Sequence, residues 1–540
     1  ESKLFSTDQI MDIDILMDED DWNNMLENAI SEEYYSCNVV VNGKTFYSVG
    51  IRPKGNTSLS SIVNDPDTDR YSFKLEFDHY IEGQTCYGLD KLILNNNYAD
   101  ATNMKEAIVY DMYQYLGVDA SLYNYAKISV NGDYRGVYLA LEAVEDSFML
   151  RNYGTEDGNL YKPESMGIGG GVDGNGFPQK GEMPDGEDFP QKGEMPDGED
   201  FPQKGEMPDG EDFPQKGEMP DGEDFPQMGE APNGEVADIK MGIMGGNGGA
   251  DLNYTDDDLD SYSTIWDGEI TDSDKKDHKR VVEALKNISE GTDLETYMDV
   301  DNILKYMAVH TFVVNDDSLS GTMAHNYYLY EYNGKLNILP WDYNLSFGGM
   351  SMGGKMGGQS LGATSVINDA IDTPFSITDF FNALLENEEY LEQYHGYLNE
   401  LVEKYVNGGE FEKTYERIRS QIDDLVGNDP TAFYSYEEYE EAANMLIEVV
   451  QLRAKSVSGQ LAGTIPSTDE GQQQDSSNLI DGSDIDLSVM GSFSGGGGGN
   501  EGQGKDNGFA GTPQPFDAGD VSPISEEKAD LQDSNQDSVK

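Results

Sequence analysis

The chain has 540 residues, 104 of them Asp or Glu against 34 Lys or Arg, for a formal net charge of −70. That excess repels phosphate backbones and excludes a nucleic-acid partner, and no run of about 18 apolar residues marks a transmembrane segment. Two cysteines, Cys37 and Cys86, are too few for a disulfide scaffold or a four-ligand zinc site.

Strand and helix patterns alternate over residues 1–163. Met11-Asp12-Ile13-Asp14-Ile15 has the period of two of a half-buried strand. Asp18 then caps a helix with Trp22, Met25, Leu26 and Ile30 on one face. Asn42-Gly43 and Asn131-Gly132, and later Asn333-Gly334, mark hairpins between apolar runs. Strands are expected over 71–77 and 91–95. A helix from Thr102 buries Met104, Ala107, Ile108 and Met112 and stops at Gly117. The hairpin 126–142 completes an antiparallel α+β lobe.

Residues 164–250 read as an acidic, low-complexity spacer. FPQKGEMPDGED starts at Phe177, Phe189, Phe201 and Phe213, and a decayed copy starts at Phe225. A 12-residue unit is too short for a helical solenoid repeat, and each perfect copy carries four acids and one Lys. A self-repelling disordered insertion is expected. The acids lack the D-x-D-x-D-G order of a calcium loop, which weakens a calcium-binding reading.

Beyond the spacer, 251–455 turns helical, with helices over 275–289 and 299–314 and a helical array over about 377–454. A hairpin, 326–332 with 336–340, sits inside it. From about Ser456 to residue 540 a Gly-, Ser- and Asp-rich tail is expected to be disordered. The spacer and tail carry only about −28 of the net charge, so the folded parts keep about −42.

Residues 315–349 hold the strongest chemical signal. The two open ends of an antiparallel hairpin lie together, so Asn326 and Asp342 are expected to be neighbours, with Asp317 delivered by the preceding loop. Two carboxylates and an amide suit a hard, oxygen-liganded cation such as Mg²⁺. The plain alternative makes Asp317 a turn cap and Asp342 a strand end. In the first lobe the scarce cations Arg52 and Lys54, and Arg70 and Lys74, stand out as a solvated strand face or as phosphate ligands. Glu142 ends the run VYLALE, where an acid calls for a partner. His310 and His325 have no Ser or Cys partner at a readable spacing, and both GxGxxG matches fall in low-complexity runs.

These motifs, IRPKGNTSL, DRYSFKLEFD, KLILNNNYAD, MKEA, VNGDYRGVYLALEAVE, NDDS, HNYYLY and PWDYN, resemble the spore coat protein H (CotH) kinase family. The resemblance covers roughly 12–163 and 251–454. It implies a divergent bilobal protein-kinase-like fold, with a β-rich N-lobe and a helix-rich C-lobe, that transfers the γ-phosphate of ATP to Ser or Thr of exported proteins. By motif, Asp317 matches the catalytic Asp, Asn326 the metal-binding Asn and Asp342 the metal-binding Asp. Arg52, Arg70 and Lys74 are the candidates for the phosphate-binding cation, steadied by Glu142, and Asp316 competes with Asp317. Where the family has WDYD, Asn344 stands in place of the second acid. The implied cofactors are ATP and Mg²⁺, and the acidic lobes favour a basic, Ser/Thr-bearing substrate. The start at Glu1 without a leader fits a trimmed targeting segment and a secreted or cell-surface bacterial protein. The alternative is a non-catalytic kinase-fold scaffold.

Overall fold

The computed structural model describes residues 1–163, 249–351, 362–375, 377–491 and 493–494. The acidic repeats and residues 495–540 lie outside the described residues.

In β1 (Met11–Leu16) the alternate residues Met11, Ile13 and Ile15 are fully buried, as the period of two requires. β2 (Tyr35–Val41) and β3 (Lys44–Lys54) meet at Asn42-Gly43, with φ of 50° and 79°. Both angles lie in the left-handed region that a two-residue hairpin turn demands and that Asn-Gly tolerates. β4 (Ser72–Glu76) and β5 (Lys91–Asn95) follow. Asn131-Gly132 then turns β6 (Tyr123–Val130) into β7 (Asp133–Glu142) in the same way.

These seven strands close into a barrel in the order β1-β2-β3-β4-β5-β7-β6. The seam is a parallel pairing of β1 with β6, Ile13 standing opposite Ile128. The expected antiparallel lobe is therefore corrected to a closed barrel. The mixed α+β class and the order of a β-rich part followed by helices stand, but a clear two-lobed kinase arrangement does not. Closure removes the sheet edges, which is its physical advantage.

Val39, Ile51, Leu75 and Leu92 fill the barrel together with Trp22 and Met25 from α1 (Glu19–Glu27). Asp18 caps that helix by accepting the Asp20 N–H. Ile30, expected on the same face, falls in a following 3-10 turn and is exposed. α2 (Thr57–Val63) leaves the end of β3. Cys37 and Cys86 are both buried free thiols, so no disulfide joins them.

A second core starts on the barrel's outer face, at Ile93, Leu139 and Leu141, and runs through α3 (Lys105–Leu116) into the later helices. After α4 (Asp146–Tyr153), β8 (Asn159–Tyr161) pairs with β9 (Tyr327–Tyr332), which pairs with β10 (Lys335–Pro340). The helices of the C-terminal part are α5 (Ser263–Trp266), α6 (Lys275–Ser289), α7 (Leu294–Tyr297), α8 (Val300–Val313), α9 (Ala363–Ile367) and α10 (Asn382–Leu385). α11 (Glu388–Glu400), α12 (Glu410–Gly427), α13 (Tyr436–Leu461) and α14 (Asp469–Gln474) follow. α8 is buried along almost its whole length and packs on α3 and α11.

The expectation of a disordered tail from Ser456 is corrected over residues 456–491, its remainder from 495 lying outside the described residues. α13 runs on to Leu461, burying Ser456, Val457 and Gln460, and Met490 beyond it is fully buried. Ser456 donates to Asn368 Oδ1, and Gln460 Nε2 to the Asp369 carbonyl, so these polar residues are held by partners rather than by composition.

Candidate active site

β10 ends at Pro340, and the chain then passes Asp342 with φ of 58°. Asn326, just before β9, has φ of 56°. Both hairpin ends thus carry a residue in the left-handed region, where Asn and Asp are tolerated best. The pairing of Pro340 with Tyr327 fixes their separation along the sheet.

The loop after α8 brings Asp317 to the same place. Asn326 Nδ2 donates to Asp317 Oδ2 at 2.9 Å and to the Asp317 carbonyl at 2.7 Å, and His325 Nε2 meets Asp317 Oδ1 at 2.7 Å. Asn315 Nδ2 donates to the Asp342 carbonyl at 3.3 Å. The structure therefore brings Asp317, Asn326 and Asp342 together. Asp316, the competing acid, has its carboxyl raised by burial and by Asp317, and its own charge acts on Asp369.

From the barrel side come Lys54, the last residue of β3, and Glu106, in the first turn of α3. Asn95 of β5 ties them: its Nδ2 donates to Glu106 Oε2 at 2.8 Å and its Oδ1 accepts from Lys54 Nζ at 3.4 Å. Burial, then the charge of Asp342, raises the Glu106 carboxyl well above the ordinary range, against the pull of Asn95 and Lys54. Burial lowers the Lys54 ammonium, with Asp342 as the first opposing charge. The Asp342 carboxyl is raised by burial and by Asp317, and lowered by Lys54, Lys162 and His325. Lys54 and Lys162 both lie over the Trp341 ring, at 5.4 and 5.9 Å from its centre. The charges of Lys54, Glu106 and Asp342 thus act on one another.

The four other sequence candidates are placed elsewhere, each in an ion pair of its own. Arg52 pairs with Glu32. Arg70 grips both oxygens of Asp429, at 2.8 and 3.0 Å, with Thr431 and the Asn96 carbonyl as further acceptors. Lys74 meets Glu145 Oε1 at 2.5 Å. Glu142 takes the Arg151 guanidinium, Nε to Oε1 at 3.0 Å, so it steadies neither Arg70 nor Lys74. Of the scarce cations that the sequence offers as phosphate ligands, Lys54 alone joins the cluster; Glu106 and Lys162 carry no expectation from the sequence, and His325 is expected there only as a histidine without a nucleophile partner. Glu106 had a signal: it is an acid between Met104 and the apolar pair Ala107 and Ile108, which the sequence buries.

Oxygen donors dominate, as a hard cation requires. Among the described residues, no hydrogen bond reaches the Asp342 carboxylate, and Glu106 Oε1 is buried without a partner. Among the described residues no cluster of three or more His, Cys, Asp or Glu side chains is arranged to hold a metal alone. Asp342 and Asn326 are the side chains here whose oxygens a hard cation could meet.

The family model described as CotH kinase protein matches residues 51–457. The chain belongs to the CotH kinase protein family. The match begins at β3, three residues before Lys54, and takes in every member of the cluster. No curated protein matches the chain. Family membership supports a kinase-like function. No described helix is long and apolar enough to cross a membrane.

Proposed function

We propose that this chain transfers the γ-phosphoryl group of ATP, with Mg²⁺, to Ser or Thr hydroxyls of a basic protein substrate at or outside the cell surface. The observation that carries the reading is the convergence of Lys54 and Glu106 on Asp317, Asn326 and Asp342. Phosphoryl transfer in protein kinases uses a strand Lys held by a helix Glu, a base near the acceptor, and an Asp with an Asn as metal ligands. Each of those roles has a candidate here, supplied by separate elements.

Asp342 and the Asn326 amide oxygen would hold the cation, which when bound neutralises charge on the phosphates. Lys54 would meet phosphate oxygens, with Glu106 restraining its side chain. Asp317 is the base candidate: His325 and Asn326 fix its carboxylate, leaving lone pairs to orient an acceptor hydroxyl. Low dielectric around the buried cluster strengthens each of these contacts.

Purified protein is expected to incorporate label from γ-labelled ATP into a Lys- and Arg-rich Ser/Thr peptide. Asp342→Asn should reduce incorporation by about 10³-fold or more, the scale of losing a metal-holding acid. Equal labelling by the two proteins would sink the assignment. Calorimetry with ATP and Mg²⁺ tests the scaffold alternative, in which nucleotide need not bind.

A further inference from the structure

Behind the cluster lies a row of buried polar groups that the proposed chemistry does not touch. Tyr113 and Tyr343 are completely buried and His310 nearly so. Their hydroxyls are 2.5 Å apart, and Tyr343 Oη lies 3.0 Å from His310 Nδ1. His310 Nε2 lies 2.9 Å from Ser320 Oγ, which donates to the Asn315 carbonyl at 2.9 Å.

Donor counting gives this row a direction. A carbonyl only accepts, so Ser320 spends its proton on Asn315 and must accept from His310 Nε2. Burial lowers the His310 pKa to about 3, so the ring is neutral and its Nδ1 can only accept. Tyr343 therefore donates to Nδ1 and accepts from Tyr113. Every bond is satisfied by one assignment, with His310 as the Nε2–H tautomer.

The row also closes on the site. Asn315, at its far end, holds the Asp342 carbonyl through Nδ2. Tyr343 follows Asp342 in sequence, and its backbone N–H is among the groups that hold down the raised Glu106 carboxyl. Tyr113 lies seven residues after Glu106, two helical turns along the same face of α3. Asp342 itself sits at φ of 58°, a backbone state that persists only where the surroundings enforce it.

We propose that Tyr343 is a positioning residue: through the Tyr113–Tyr343–His310–Ser320–Asn315 relay it locks α3, the 315–326 loop and Asp342 in one geometry. This rests on the reading of the site given above, but its first test does not require turnover. In the full-length protein with labelled histidine, long-range ¹H–¹⁵N correlation is expected to show His310 protonated at Nε2 and bare at Nδ1. Protonation at Nδ1 overturns the relay.

The second test is kinetic. Tyr343→Phe should lower kcat about tenfold, the scale of one buried hydrogen bond, while KM for ATP stays within about twofold. Ser320→Ala should do the same at the other end, and the double variant should be no slower than the slower single. A merely structural bond would lower the melting temperature and leave kcat per folded molecule unchanged, which overturns the proposal. Asp342→Asn, run beside them, separates the two levels. If it keeps wild-type labelling, the reading of the site falls and the positioning role with it. If it abolishes labelling while Tyr343→Phe keeps wild-type kcat, the relay alone falls.

Discussion

Lys54 and Arg70 are both cations of the barrel, and they differ in what surrounds them. Arg70 is 2% exposed, and acceptors of three regions take up its guanidinium: Asp429 and Thr431 from the α12–α13 connection, the Asn96 carbonyl from beyond β5 and the Val137 carbonyl of β7. Lys54 has one long hydrogen bond, to Asn95, and looks toward Asp342 and Glu106 without a contact of ion-pair length among the described residues. A cation with every donor satisfied fastens two parts of a fold together. A cation facing acids that are themselves short of partners is held ready for a ligand. Arg52 and Lys74 belong with Arg70 in this respect, each closed by its own carboxylate.

The largest effect should come from breaking the open side of this contrast. Lys54→Met is expected to cut phosphoryl transfer about 10³-fold while the protein stays folded, because no short ion pair is lost with it. Labelling measured alongside a thermal melt checks both halves. Arg70→Met should do the reverse. It leaves Asp429 buried without its counter-charge, which costs about 3–5 kcal/mol of stability. A lowered urea midpoint with near-normal kcat per folded molecule is expected; a large loss of kcat in folded Arg70→Met would erase the distinction.

The sequence could not separate these two cations, and the reason is physical. Arg52 and Lys54 are two residues apart on one strand and so share a face; Lys74 lies inside the next strand and Arg70 just before it, again an even number of residues apart. What distinguishes them is their partners: Glu32, Asp429, Glu145 and Glu106 all lie on other elements, Asp429 hundreds of residues away. The Asp317, Asn326 and Asp342 grouping was legible because a single hairpin places two of the three. The three Asn-Gly turns were legible for the same local reason, each having its left-handed angles at both positions. Barrel closure was not, since the parallel β1–β6 seam leaves no mark on either strand's alternation.

A smaller effect sharpens the role of Glu106. Its folded-state carboxyl holds a proton up to about pH 8, whereas the unfolded chain releases it in the ordinary carboxylate range. The folded state thus binds more protons between those limits, and its stability falls as pH rises through them. Glu106→Gln keeps the shape and removes the titration. Relative to wild type it should gain at least about 1 kcal/mol on going from pH 5 to pH 8. Parallel pH dependences for the two proteins would show that Glu106 is not strained by burial.

The smallest effect concerns Asn344, which stands where the family resemblance leads one to expect a second acid. Its Nδ2 donates to the Tyr98 carbonyl at 2.9 Å, joining the Asp342 loop to the segment between β5 and α3. A carboxylate there has no proton to donate and would face that carbonyl oxygen with its own negative charge. Restoring the family's acid, Asn344→Asp, is therefore expected to destabilise the protein by about 1 kcal/mol and to leave labelling no faster than wild type. An increase in kcat would instead mean that position 344 faces the phosphates. In that case the open side of the contrast would extend past Asp342, and the amide's bond to Tyr98 would be incidental to it.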